Sequence, residues 1–206
     1  MNINMNNLNQ KISYIVKLCS EKSFDQALNE FKSLIEENYN DHILHNIGGI
    51  INVNLKNYDS AINCFLKALK INPNYAEANN NMGALLKTIG KTKESIVYFE
   101  KAIKIKPDFS NAYNNLGASY NLMGEWEMAI QNYDECLKIN PNDKDSFNNL
   151  INLLTFHDPE KKDLNFIIKT NSLLKMNNFV FDEKKKINDE QMINYFKTSN
   201  NIVIKN

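Results

Sequence analysis

The chain has 206 residues, 43% of them apolar, enough to bury the core of one ordinary domain or a short repeat array. Acidic and basic residues balance at 24 each and every basic residue is lysine, so the chain lacks both the charge that draws a protein to phosphate and the guanidinium fork that clasps it; nucleic acid is not an expected partner. No apolar block is long enough for a secretory signal or a membrane span, and Cys19, Cys64 and Cys136 are odd in number, distant and without C-x-x-C spacing, so the expectation is a cytoplasmic protein with reduced thiols, no membrane contact and no zinc site.

Self-similarity organises the rest. Pro73, Pro107 and Pro141 stand 34 residues apart, after the runs LKIN, IKIK and LKIN. Ahead of the pattern, residues 1–7 are read as a disordered N-terminus. The blocks are then 8–41, 42–75, 76–109 and 110–143, with a half block at 144–156. Block 8–41 is atypical: Ile15 stands where later blocks carry glycine and Tyr39 where they carry proline, although Phe24, Ala27 and Phe31 keep the register. In block 76–109, Ala78, Met82, Leu85 and Leu86 recur at helical spacing, followed by Ile96, Phe99, Ala102 and Ile103, so each block is predicted as two amphipathic helices. Gly90 and Gly124 sit where the first helix has to turn, a place for a left-handed C-terminal cap. Each proline ends the second helix, and Asn74, Asp108 and Asn142 are expected N-caps, with Glu77 completing a capping box on Asn74. The half block offers Phe147, Leu150 and Leu154 before His157-Asp158-Pro159 breaks the pattern. Beyond it, 157–206 is read as capping helices and tail: a helix over 161–176 that covers the end of the stack, a docked linker to 188, and a last helix over 189–203.

Small residues carry the packing expectation. Gly49, Gly83 and Gly117 share one place in the first helices; Ala61, Ser95 and Ala129 share one in the second; Phe65, Phe99 and Tyr133 fill the space beside them. Ala68, Ala102 and Cys136 mark another tight spot, so Cys136 reads as a small buried apolar residue. With the NNMG and NNLG stretches at Asn80–Gly83 and Asn114–Gly117, the aromatics Tyr58 and Trp126, and the closing prolines, the pattern resembles the tetratricopeptide repeat family. The resemblance implies an all-α fold, a right-handed superhelical stack of antiparallel helix pairs in which the first helices line the concave surface. It implies a protein-binding scaffold and not an enzyme.

The resemblance places the candidate peptide-binding residues on the first helices. Asn81, Asn115 and Asn149, 34 apart, resemble the asparagine ladder of some superhelical members. A carboxamide carries both donor and acceptor and can pair with the backbone of an extended peptide of any sequence; the same side chains can instead bond between neighbouring repeats. Asn46, Asn80, Asn114 and Asn148 run one residue earlier at an expected surface position, where plain solvated polarity also accounts for them. Ile50, Val53, Ala84, Lys87, Ala118, Asn121 and Leu122 give a mildly apolar, weakly charged floor, and Asn152 joins the candidates on the same helices. The family's mode of clamping a chaperone tail with paired cations is not expected, because the matching positions hold Ile12, Val16, Asn46, Glu77, Asn111 and Asn115.

No phosphate-binding, dinucleotide-binding or nucleophile-elbow motif is present, and no cofactor is expected. His42 and His45 have only Asp41 as a local third ligand, and read as a solvated helix start. Lys101, Lys104 and Lys106 read as a solvated convex face. Two functions compete: an adaptor that holds a partner's peptide or helix in the concave groove, or the substrate-presenting arm of a larger glycosyltransferase, sulfotransferase or hydroxylase.

Overall fold

The computed structural model describes residues 2–37 and 39–156, and within them every regular element is an α-helix. In chain order these are α1 (Asn2–Ser20), α2 (Phe24–Glu36), α3 (His42–Asn54), α4 (Tyr58–Ile71), α5 (Ala76–Thr88), α6 (Thr92–Ile105), α7 (Ser110–Leu122), α8 (Trp126–Ile139) and α9 (Lys144–Phe156). They form an all-α solenoid. Each odd-numbered helix from α1 to α7 packs on the even-numbered helix after it, that helix packs on the next odd one, and α3, α5, α7 and α9 touch in succession. The N-terminal segment expected to be disordered departs from that reading: α1 begins at Asn2, and no glycine or proline interrupts residues 2–20. The elements expected within 157–206 lie outside the described residues.

Every described first helix that leads into a second one ends in the same turn. Lys22, Lys56, Gly90 and Gly124, spaced 34 apart, all take positive φ, at 59°, 61°, 82° and 76°. The amide of the following residue then reaches back over the helix end, from Ser23 to the Leu18 carbonyl at 2.9 Å, Asn57 to Asn52 at 2.8 Å, Lys91 to Leu86 at 2.8 Å and Glu125 to Tyr120 at 3.0 Å. These bonds satisfy carbonyls that a helix terminus leaves open. The glycines were legible as caps; the two lysines in the same conformation were not.

The N-caps differ from expectation. Tyr75 and Phe109 occupy the cap positions of α5 and α7 without a side-chain cap bond, one residue beyond Asn74 and Asp108. The turn before α5 is closed by Asn72, whose Oδ1 accepts from the Asn74 amide at 3.1 Å, and Asn140 does the same for Asn142 at 3.3 Å. Glu77 forms no capping box and pairs with Lys106 at 3.5 Å. Asp143, not Asn142, accepts from the Ser146 amide at 2.7 Å, and Asp41 caps α3 by accepting from Ile43 and Leu44 at 2.8 and 3.0 Å.

Packing follows the small-residue register. Ala61, Ser95, Ala129, Ala68, Ala102 and Cys136 are fully buried, as are Phe99 and Tyr133, with Phe65 nearly so. A Cβ on Gly83 would stand 2.7 Å from the Phe99 ring and one on Gly117 2.8 Å from the Tyr133 ring, so bare backbone lies directly against these aromatics. Tyr58 and Trp126 are half-buried against the clusters of their own repeats. The first repeat solves the same problem differently. Ile15 fills the glycine's place and is fully buried, while the Phe31 ring lies against Gly48 of the next repeat, where later repeats carry Met82, Leu116 and Leu150.

Candidate functional site

Successive first helices bring the two asparagine columns together. Asn81 Nδ2 donates to Asn46 Oδ1 at 3.0 Å, Asn115 Nδ2 to Asn80 Oδ1 at 3.1 Å, and Asn149 Nδ2 to Asn114 Oδ1 at 3.2 Å. Each bond joins residues 35 apart, one repeat plus one position, so a carboxamide at the exposed edge of one helix leans on the carboxamide nearer the seam of the helix before it. Of the two roles weighed for these side chains, bonding between repeats is thus present in the structure.

The inner column is not the solvated surface expected from sequence. Asn46 and Asn80 are 5% and 8% exposed and Asn114 is half-buried, whereas Asn148 is exposed on α9. The reason is position: these residues face the seam between neighbouring first helices, where a buried amide needs a partner, and the outer column supplies it. Burial pushes the pKa of the Tyr75 phenol up, and the neighbouring Asn46 amide opposes that shift. Tyr75 in turn packs edge-on against His42, with ring centroids 4.9 Å apart. Tyr75 had no role assigned from sequence, so this link was not legible there.

Asn81, Asn115 and Asn149 remain half-exposed, as do Ala84 and Ala118, with Asn121 and Asn152 more open. Lys87 is half-buried on the same side, donating to Asn115 Oδ1 at 3.0 Å with its Nζ 5.8 Å from the Phe99 ring centroid. Burial pushes its pKa down. Because an ammonium only donates, this contact fixes the Asn115 amide: Oδ1 faces Lys87 and Nδ2 faces Asn80. Towards the N-terminal end the positions of Ala84 and Ala118 carry larger apolar residues, half-buried Ile50 and exposed Val16, and Ile43 is exposed where later repeats carry Glu77 and Asn111. The face thus grades from aliphatic to amide.

His45 is part of the fold and departs from the solvated helix start expected for it. It is 4% exposed, its Nε2 lies 3.0 Å from Asn40 Oδ1, and its Nδ1 is buried without a hydrogen-bond partner. Among the described residues no three His, Cys, Asp or Glu side chains converge as metal ligands, and no helix is long and apolar enough to cross a membrane.

The family model for the tetratricopeptide repeat matches residues 110–143, and a second model for the TPR repeat matches 51–90 and 86–124. No curated protein matches the chain significantly. Among solved structures, the MamA RS-1 ArsTM double mutant is similar with a TM-score of 0.67 and 22% identity, over 85% of this chain and 96% of that one. YrrB, a TPR protein with an unusual peptide-binding site, has a TM-score of 0.58 and 18% identity, over 70% and 84%. The first TPR of Spaghetti (RPAP3), bound to the HSP90 peptide SRMEEVD, has a TM-score of 0.54 and 20% identity, over 55% and 90%. At these identities the likeness is one of fold.

Proposed function

This chain is built of tetratricopeptide repeats, and from that premise we propose that it is an adaptor holding an extended peptide of a partner protein along its first helices. The observation that carries the reading is the outer asparagine column. Each of its amide nitrogens is committed to the preceding repeat, which leaves the amide oxygens of Asn81 and Asn149 as pre-oriented acceptors suited to the N–H groups of an extended backbone. At Asn115 that oxygen is taken by Lys87, which offers an ammonium in its place and favours an acidic side chain opposite. The aliphatic end around Val16, Ile43 and Ile50 supplies apolar contact. A peptide-bound neighbour, the first TPR of Spaghetti (RPAP3), and YrrB with its peptide-binding site support the partner class. The chaperone-tail clamp is not part of the proposal, since Ile12, Val16, Glu77 and Asn111 supply no cation.

Affinity capture with the wild type and the Asn81→Ala, Asn115→Ala, Asn149→Ala variant tests the reading. Partners are expected to be lost from a variant that still unfolds cooperatively above the assay temperature. Partners retained in full by that variant would place binding off this column.

A further inference from the structure

The second helices α4 and α6 leave a cleft of about 890 Å³ between them, which buried Asn79 of α5 also lines and none of the column asparagines does. Leu66, Leu69, Tyr98 and Ile105 make its apolar lining, with Leu66 46% exposed. Lys70, Lys101 and Lys104 also line it, and among the described residues none of them has a carboxylate within ion-pair distance. Lys101 lies over the Tyr98 ring, 5.1 Å from its centroid.

The repeat provides an internal control. One period on, between α6 and α8, the places of Leu66, Asn74 and Lys101 are held by Glu100, Asp108 and Glu135, and Glu135 pairs with Lys138 at 2.7 Å. The same cleft positions thus hold two lysines and three carboxylates in one repeat, but three lysines and no carboxylate in the other. Of these two sets of positions, the α4–α6 cleft is the one without a carboxylate, in a chain whose total charge is zero.

We propose that this cleft is a second docking surface, taking an acidic segment of a partner protein whose apolar side chains enter between Leu66 and Tyr98 while its carboxylates meet Lys70, Lys101 and Lys104. Charge complementarity selects the acidic partner. The recessed apolar floor selects a peptide over a membrane, which is flat and recruits protruding apolar residues. Nucleic acid is disfavoured because the cleft has no arginine and the Tyr98 ring is already covered by Lys101. This surface is independent of the first-helix groove.

The test is fluorescence anisotropy of a labelled peptide of alternating Glu and Leu against the full chain, with a Gln-for-Glu peptide as control. The acidic peptide is expected to bind, to weaken as salt rises, and to lose at least about tenfold in affinity to the variant Leu66→Glu with Lys101→Glu. That variant copies residues the next repeat already carries at these places. Lys70→Gln with Lys104→Gln, which removes charge without adding any, is expected to weaken binding several-fold; the Asn81, Asn115, Asn149 triple variant is expected to leave it unchanged. The proposal is overturned if the wild type does not bind the acidic peptide, if it binds the Gln peptide equally, or if only the asparagine variant loses binding. Binding to phosphatidylserine vesicles, or self-association, that the cleft substitutions abolish while peptide binding survives them would likewise overturn it.

Discussion

Lys22 and Lys56 hold left-handed backbone at places where later repeats have glycine. A side chain in that region costs about 1–2 kcal/mol, partly offset in glycine by its looser unfolded state. Lys56→Gly is therefore expected to stabilise the protein by about 0.5–1 kcal/mol, read as a rise of roughly 1–4 °C in melting temperature. Gly90→Lys is expected to shift it the opposite way, and an unchanged value for both would remove backbone strain from the account. At His45, burial lowers the pKa from its ordinary 6.5, with the Lys67 charge acting in the same direction. Below pH 6.5 the unfolded chain takes up the proton before the folded one, so this residue's contribution is present above that pH and is lost as pH falls through the lower folded value. Melting between pH 7.5 and 5 is expected to show a drop that His45→Gln reduces. The pairing of Asn80 with Asn115 yields a ranking. Asn115→Ala strands a buried amide and is expected to cost about 1–3 kcal/mol, whereas Asn149→Ala leaves only half-buried Asn114, which water can reach, and is expected to cost less.

Helices meet through single residues whose size the period dictates. Gly117→Leu is expected to overpack the contact with Tyr133 and destabilise by about 1–3 kcal/mol, checked by denaturant unfolding. The first two repeats allow a sharper test. Ile15 and Gly48 are exchanged relative to the later pattern, and Phe31 occupies the space that Gly48 leaves. Gly48→Met alone is expected to collide with that ring. Combined with Ile15→Gly, which opens the place that Phe65 and Phe99 face in their own repeats, it is expected to cost less than the sum of the single changes. Helix identities and the glycine turns were readable from sequence, because apolar periodicity and proline placement are local. The N-caps were misplaced by one residue: Asn72 closes the turn through a bond to Asn74, which propensity alone does not distinguish from Asn74 capping the helix.

At the scale of the whole molecule the stack has two unlike sides. First helices present amides and aliphatics, joined between repeats by carboxamide bonds; second helices present charge, balanced in one cleft and unbalanced in another. Repeats that share a fold need not share a surface, since exposed positions change at little cost to stability while buried ones do not. The sequence alone determined the all-α repeat architecture, its period and its small-residue seams, since these rest on contacts within a repeat or to its neighbour, which 34-residue spacing encodes directly. Tertiary structure alone decided which asparagines are buried, which amide faces which, that Phe31 trades places with a neighbour's side chain, and that three lysines line one cleft without an acid. Those facts depend on how far successive helices rotate and lean against each other. A one-position difference in register reverses them, and hydropathy does not record it.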